Sequence, residues 1–182
     1  MAKHDYAERF HAGTLTDGWR WFGSHPDKKK DAEGWTFRVW APHAKSVSVV
    51  GDFNEWTNGV HTLTRNGEVW EGFIPGLGEY TSYKYAVTGP DGEVRLKTDP
   101  YAFHCETRPA TAGKLYDMTD FKWTDAAFLA RQEKHQVYDS PLNIYEVHLG
   151  SWKKRPNGDF YDYKDMAKEL AAEVKEKGYT AS

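Results

Sequence analysis

From Trp35 onward, apolar and polar residues alternate in short runs broken by turn residues, the mark of an all-β domain. Trp35, Phe37 and Val39 share one face of a strand that Ala41-Pro42 ends, and residues 45–50 alternate likewise up to Gly51. Further runs at 69–74 and 80–87 stop at Pro75-Gly76 and at Gly89-Pro90-Asp91-Gly92. Asn66-Gly67 and Asp91-Gly92 favour the positive φ angles of tight hairpins. Strands of this length and spacing predict an immunoglobulin-like β-sandwich over residues 35–120. Residues 1–34 lack the alternation and read as a lead-in, a short helix and a loop.

After Asp99-Pro100 the alternation is lost. Residues 121–140 read as a linker, in which 123–136 can form one short helix with Thr124 or Asp125 as N-cap and Phe128 and Leu129 facing inward. Beyond Ser140-Pro141 a different pattern begins: a strand over 142–149, a loop over 150–160, and a helix over 163–177. Met166, Leu170 and Val174 lie at i, i+4, i+8 of that helix and Gly178 stops it. Strand, loop and helix open a βα repeat, whose strands are normally covered by parallel neighbours. The second strand is due at Tyr179, so residues 141–182 are expected to be the start of a truncated domain. The fold class expected is mainly β, a sandwich followed by one βα unit.

Composition narrows the function. With 39% hydrophobic and 28% charged residues the chain is neither disordered nor membrane-embedded in type. No apolar stretch approaches the roughly 20 residues of a membrane span, and residues 1–10 have no apolar signal core, which leads to the expectation of a cytoplasmic protein without a membrane partner. The net charge of −3 argues against a nucleic-acid partner. Lys28, Lys29 and Lys30, between Asp27 and Asp31, read as a solvated loop. Cys105 is the single cysteine and has no disulfide or cysteine-metal partner. The 8 Trp, 11 Tyr and 9 Phe are the distinctive feature, since flat rings both fill β cores and stack on sugars.

Catalytic devices are missing. There is no nucleophile elbow, phosphate-cradling glycine loop, dinucleotide fingerprint or H-E-x-x-H, and the eight histidines have no metal-ligand spacing, so no catalytic residue, metal or cofactor is expected. Glycoside chemistry needs two carboxylates across a sugar; Glu146 stands alone on its strand. The informative motif is Gly51-Asp52-Phe53-Asn54-Glu55-Trp56, at the end of a strand. Asp52 or Asn54 can bond the turn and Phe53 can plug the core. Trp56 either packs under the loop or stands on the surface as a sugar-stacking platform beside the amide of Asn54.

Residues 35–56, WTFRVWAPHAKSVSVVGDFNEW, resemble the opening of a family-48 carbohydrate-binding module. VWEGFIPG from Val69, YKYAV from Tyr83, LKTDPYAFHCETRPATAG from Leu96 and NIYEVHLGSW from Asn143 narrow the resemblance to bacterial 1,4-α-glucan (glycogen) branching enzymes. The final YKDMAKELAAEVKEKGYT is similar to the first helix of that family's α-amylase-type (β/α)8 barrel. The resemblance implies a transferase of glycogen biosynthesis that cuts an α-1,4 glucan and rejoins it by an α-1,6 link, with an aspartate nucleophile and a glutamate acid/base beyond Ser182. It further implies two partners, an α-1,4-glucan (glycogen or starch-like) and the catalytic barrel missing from the chain. For sugar binding it matches Trp56 to the first platform tryptophan and Lys84 to its lysine, with Asn54 alongside. Glu93-Val94-Arg95 replaces the second tryptophan, so weak binding is expected. A free-standing glucan-binding module is the alternative.

Overall fold

The computed structural model describes residues 3–119, 121–134, 138 and 141–180, and the chain divides into two compact units, Met1–Phe121 and Lys122–Ser182.

In the first unit, strands β1 (Gly23–Lys29), β2 (Ala32–Trp40), β4 (Thr64–Asn66) and β5 (Val69–Pro75) form an antiparallel sheet in the order β1-β2-β5-β4. A second antiparallel sheet runs β3-β6-β9-β8, from β3 (Ser46–Gly51), β6 (Ser82–Thr88), β8 (His104–Cys105) and β9 (Gly113–Lys114), with β7 (Val94–Lys97) also paired to β6. The inner faces supply the core: Trp35, Phe37 and Val39 from β2, Val47 and Val49 from β3, Trp70 and Ile74 from β5, and Tyr83 and Tyr85 from β6. This is the expected sandwich. Full burial of each such side chain contributes about 1.5–3 kcal/mol.

The sandwich begins before Trp35. β1 pairs along its whole length with β2, from Gly23 opposite Arg38 to Lys29 opposite Ala32, so the lead-in expected over 1–34 includes a strand. Pro26 and the lysine run concealed it, and both suit this position. β1 is an edge strand, where proline is tolerated and lysines deter pairing with another chain. The turn that follows has no glycine; Lys30 itself takes a left-handed conformation, φ 55°. In contrast, Gly67 occupies the first central position of the two-residue β4–β5 turn at φ 63°, as its sequence suggested.

Thr36 and Arg38, on the outer side of β2, are nearly as buried as its inner residues. The Thr36 hydroxyl donates to Asp27 Oδ2 at 2.6 Å, Arg38 Nε donates to Glu71 Oε2, and the Arg38 guanidinium lies over Trp21. Helix α1 (Lys3–His11) brings Tyr6 into a stack on Trp21, with ring centroids 5.6 Å apart. Phe10 meets Phe22 edge-on. A polar knot ties the second sheet to β1: Asp99 Oδ2 accepts from Tyr83 Oη at 2.6 Å and Tyr85 Oη at 3.1 Å, and Ser24 Oγ lies 3.0 Å from Tyr83 Oη. Burial raises the Asp99 carboxyl above its ordinary value despite these donors. Burial first, then the Asp99 charge, pushes Tyr83 and Tyr85 well above theirs.

The second unit contains α2 (Ala126–Gln132), α3 (Leu149–Trp152) and α4 (Tyr163–Glu176). α4 forms as expected: Asp162 caps it through Asp165 N, Met166 is buried, and Gly178 leaves it at φ 72°. Two expectations fail. Residues 142–149 form no named strand, since a barrel strand takes its ladder from neighbours that the described residues do not provide. Asn143 nevertheless accepts from Thr180 N at 2.9 Å, so the chain leaving α4 returns beside that segment, where a second strand was due. The helix expected over 123–136 shortens to α2, and its Phe128 and Leu129 are half exposed rather than inward. His135 and Gln136 lie outside the described residues.

Candidate carbohydrate-binding face

β3 ends at Gly51, opposite Tyr83 of β6. A Cβ on Gly51 would come within 2.2 Å of Ser82 O, so only glycine lets the chain pass here. The next residues, Asp52–Asn54, form a 3₁₀ turn, and Glu55 and Trp56 follow in left-handed conformations at φ 53° and 58°. Two successive non-glycine residues in that region cost about 1–2 kcal/mol each and persist only where their surroundings fix them.

Asn54 does the fixing. Its Nδ2 donates to Val49 O and to His61 Nδ1, both at 2.9 Å, and its Oδ1 accepts from Gly51 N at 2.9 Å. Both amide hydrogens and one acceptor site are thus committed to the loop. Phe53 packs on the core and meets His61 edge-on at 5.3 Å. Trp56 N donates to Gly51 O at 3.0 Å, and Trp56 Nε1 donates to Asp52 Oδ1 at 3.0 Å. The Trp56 ring is half-buried, held by its edge with part of its surface in solvent. The turn bonding and plug suggested by the sequence are both present.

Lys84 lies opposite Val50, one residue before Gly51, and its Nζ donates to Thr111 Oγ1 at 2.7 Å. Tyr83 and Tyr85 belong to the core, so Lys84 and Ala86 take the outward side of β6. Leu96 is opposite Ala86 and Val94 opposite Thr88; both are about half exposed and continue this face. Leu96 was not singled out from the sequence, and Val94 only as part of the stretch that replaces the second tryptophan, although their spacing after the Asp91-Gly92 turn was the available signal. Between them, Arg95 binds Asp91 Oδ2 at 2.6 Å and Glu93 Oε2 at 2.8 Å, and its guanidinium draws the Asp91 carboxyl down to about 2. The place expected for a second platform thus holds aliphatic side chains beside a solvated ion pair. Among the described residues no group of histidine, cysteine or carboxylate side chains is arranged to hold a metal, and Glu146 is exposed.

A family model, carbohydrate-binding module 48 (isoamylase N-terminal domain), matches residues 21–102. Residues 21–102 are a module of this family. The matched stretch starts at Trp21 and therefore takes in β1. Over nearly its whole length the chain is 44% identical to the 1,4-alpha-glucan branching enzyme of Bacillus subtilis (94% of this chain, 28% of that one). It is 46% identical to that of Geobacillus stearothermophilus (94% and 27%). The chain is similar to these branching enzymes over nearly its whole length and spans little more than a quarter of the length of these curated relatives. Among solved structures, a protein assigned as an alpha amylase from Salmonella typhimurium has the same fold, with a TM-score of 0.58 at 19% identity, covering 88% of this chain and 24% of that one. Among the described residues there are the module and a small helical unit, and no (β/α)8 barrel.

Proposed function

We propose that this chain is the glucan-handling front of a branching transferase of glycogen biosynthesis, and that its module contacts α-1,4-glucan through Trp56 and Lys84. The observation carrying this reading is the half-buried Trp56 ring, which keeps part of its surface in solvent and is pinned by Asp52 on a strained loop beside the β6 strand that bears Lys84. A pinned indole loses little freedom when a sugar ring stacks on it, and the Lys84 ammonium can donate to a sugar hydroxyl. Asn54 acts through the loop rather than by its own amide. Val94 and Leu96 extend the apolar contact where a second indole is absent. The cutting and rejoining of glucan belongs to a barrel of the same polypeptide, whose aspartate nucleophile and glutamate acid/base no residue of this chain replaces. A cytoplasmic setting belongs to the same reading; among the described residues no helix is long and apolar enough to cross a membrane.

Affinity electrophoresis in glycogen tests the contact. The wild-type chain should be retarded, Trp56→Ala and Lys84→Ala less so, and Asn54→Ala should lose retardation along with the loop. Equal wild-type mobility with and without glycogen would refute the reading. The first unit has a core of its own, which suits the alternative of a free-standing glucan-binding module. The coding sequence downstream of Ser182 separates the two: barrel strands carrying both acids support the transferase, and an immediate stop supports the module.

A further inference from the structure

A second cleft lies on the first unit, away from the residues of the Trp56 loop. It has a volume of about 310 Å³, and Trp19, Arg20, His25, Phe103, Tyr116 and Asp117 are among its lining. Trp19 is 44% exposed, unusual for so large a ring with no covering element of its own. Its plane is set by Phe103, edge-on at 6.2 Å, and by the Arg20 guanidinium 4.6 Å from its centroid. His25 meets the other end of this array, 5.7 Å from Phe103.

The polar groups define what fits. His25 Nε2 lies 2.9 Å from Phe22 O, a pure acceptor, so that nitrogen carries the proton and Nδ1 is an acceptor. Burial lowers the His25 pKa, which keeps the ring neutral. Asp117 uses Oδ1 to accept from Thr119 N, leaving Oδ2 as a second acceptor, while Arg20 supplies donors. One cation, one carboxylate and a neutral imidazole around an exposed indole disfavour both phosphates and cations. They suit a neutral ligand that has a flat apolar face and a rim of hydroxyls able to donate and accept. A hexopyranose has this character. The volume is at the small end for ligand sites and suits one or two sugar rings. A shallower groove of about 650 Å³ shares Pro26, Asp117 and Thr119 with the cleft and adds Glu33 and Glu79, giving an oligosaccharide room to continue.

We propose that this cleft is a second, independent α-glucan site with Trp19 as its platform, an inference that rests on the glucan reading of the module. The test is titration of the ¹⁵N-labelled chain with maltoheptaose, following the indole N–H resonances of Trp19 and Trp56 separately. Trp19 should shift saturably, and should still do so in Trp56→Ala. Trp19→Ala should fold normally by circular dichroism, abolish the shifts of His25 and Phe103, and leave the Trp56 titration unchanged. Trp19→Phe, which keeps a smaller platform, should weaken the cleft several-fold rather than abolish it. A static Trp19 beside a titrating Trp56 would overturn the cleft and spare the Trp56 reading. A titrating Trp19 beside a static Trp56 would support the cleft and remove glucan from the β6 face. Trp19 shifts that vanish in Trp56→Ala would overturn the claim of independence, and two static indoles would overturn both sites.

Discussion

The two units differ in how much of their apolar surface they cover. In the first, two sheets bury rings and aliphatic side chains against each other, and an aromatic cluster under α1 closes over the outer side of β2. In the second, among the described residues, Met166 is the one buried hydrophobic side chain, while Leu142, Ile144, Phe128, Leu129, Phe160 and Tyr163 are all at least half exposed. Both have regular backbone, so secondary structure alone does not distinguish a self-sufficient domain from one that depends on further packing. Burial does. A sandwich satisfies its own inner faces, whereas a βα unit presents a stripe and a strand edge that only neighbouring repeats can cover.

The sharpest way to break this comparison is native-state hydrogen exchange. Amides of β2, β3, β5 and β6 should exchange by global unfolding and those of α2 and α4 by local opening, with protection differing by about a thousandfold. Comparable protection in α4 and β6 would show that the second unit is independently stable. Core truncation comes next. Phe37→Ala should destabilise the first unit by about 3–5 kcal/mol in urea unfolding, whereas Leu170→Ala, on a partly covered helix face, should leave that transition unmoved. A shift of the main transition by Leu170→Ala would contradict the division.

A smaller effect follows from the polar knot. Tyrosines in an unfolded chain ionise near pH 10. Tyr83 and Tyr85 are held well above that value in the folded state, so the folded chain retains their protons as pH rises past about 10 and its stability falls. Thermal unfolding followed between pH 8 and 11 should show this decline, and Tyr85→Phe should reduce it. A flat profile would mean that the knot is open to solvent.

How much was legible in the sequence follows the same physics. Strands with one apolar face, such as those at Phe37, Val49 and Tyr83, declare themselves by alternation because the sandwich rewards that pattern directly. β1 did not, since an edge strand is selected for what it avoids, and Pro26 with three lysines reads as a loop. The partial exposure of Trp56 could not be read either: it depends on two left-handed residues and on the bonds of Asn54 to Val49 and His61, all beyond the reach of composition. Residues 142–149 have the composition of a strand, but their ladder depends on partners that the local sequence does not supply.

The sandwich as a glucan-binding surface is tested most directly by calorimetric titration of the Trp19→Ala chain with maltoheptaose, which isolates the face of Trp56 and Lys84. A saturable heat is expected, with affinity lowered several-fold by Trp56→Ala, the loss of about 0.5–1.5 kcal/mol that one stacked ring represents. No saturable heat, or isotherms that Trp56→Ala leaves unchanged, would contradict it.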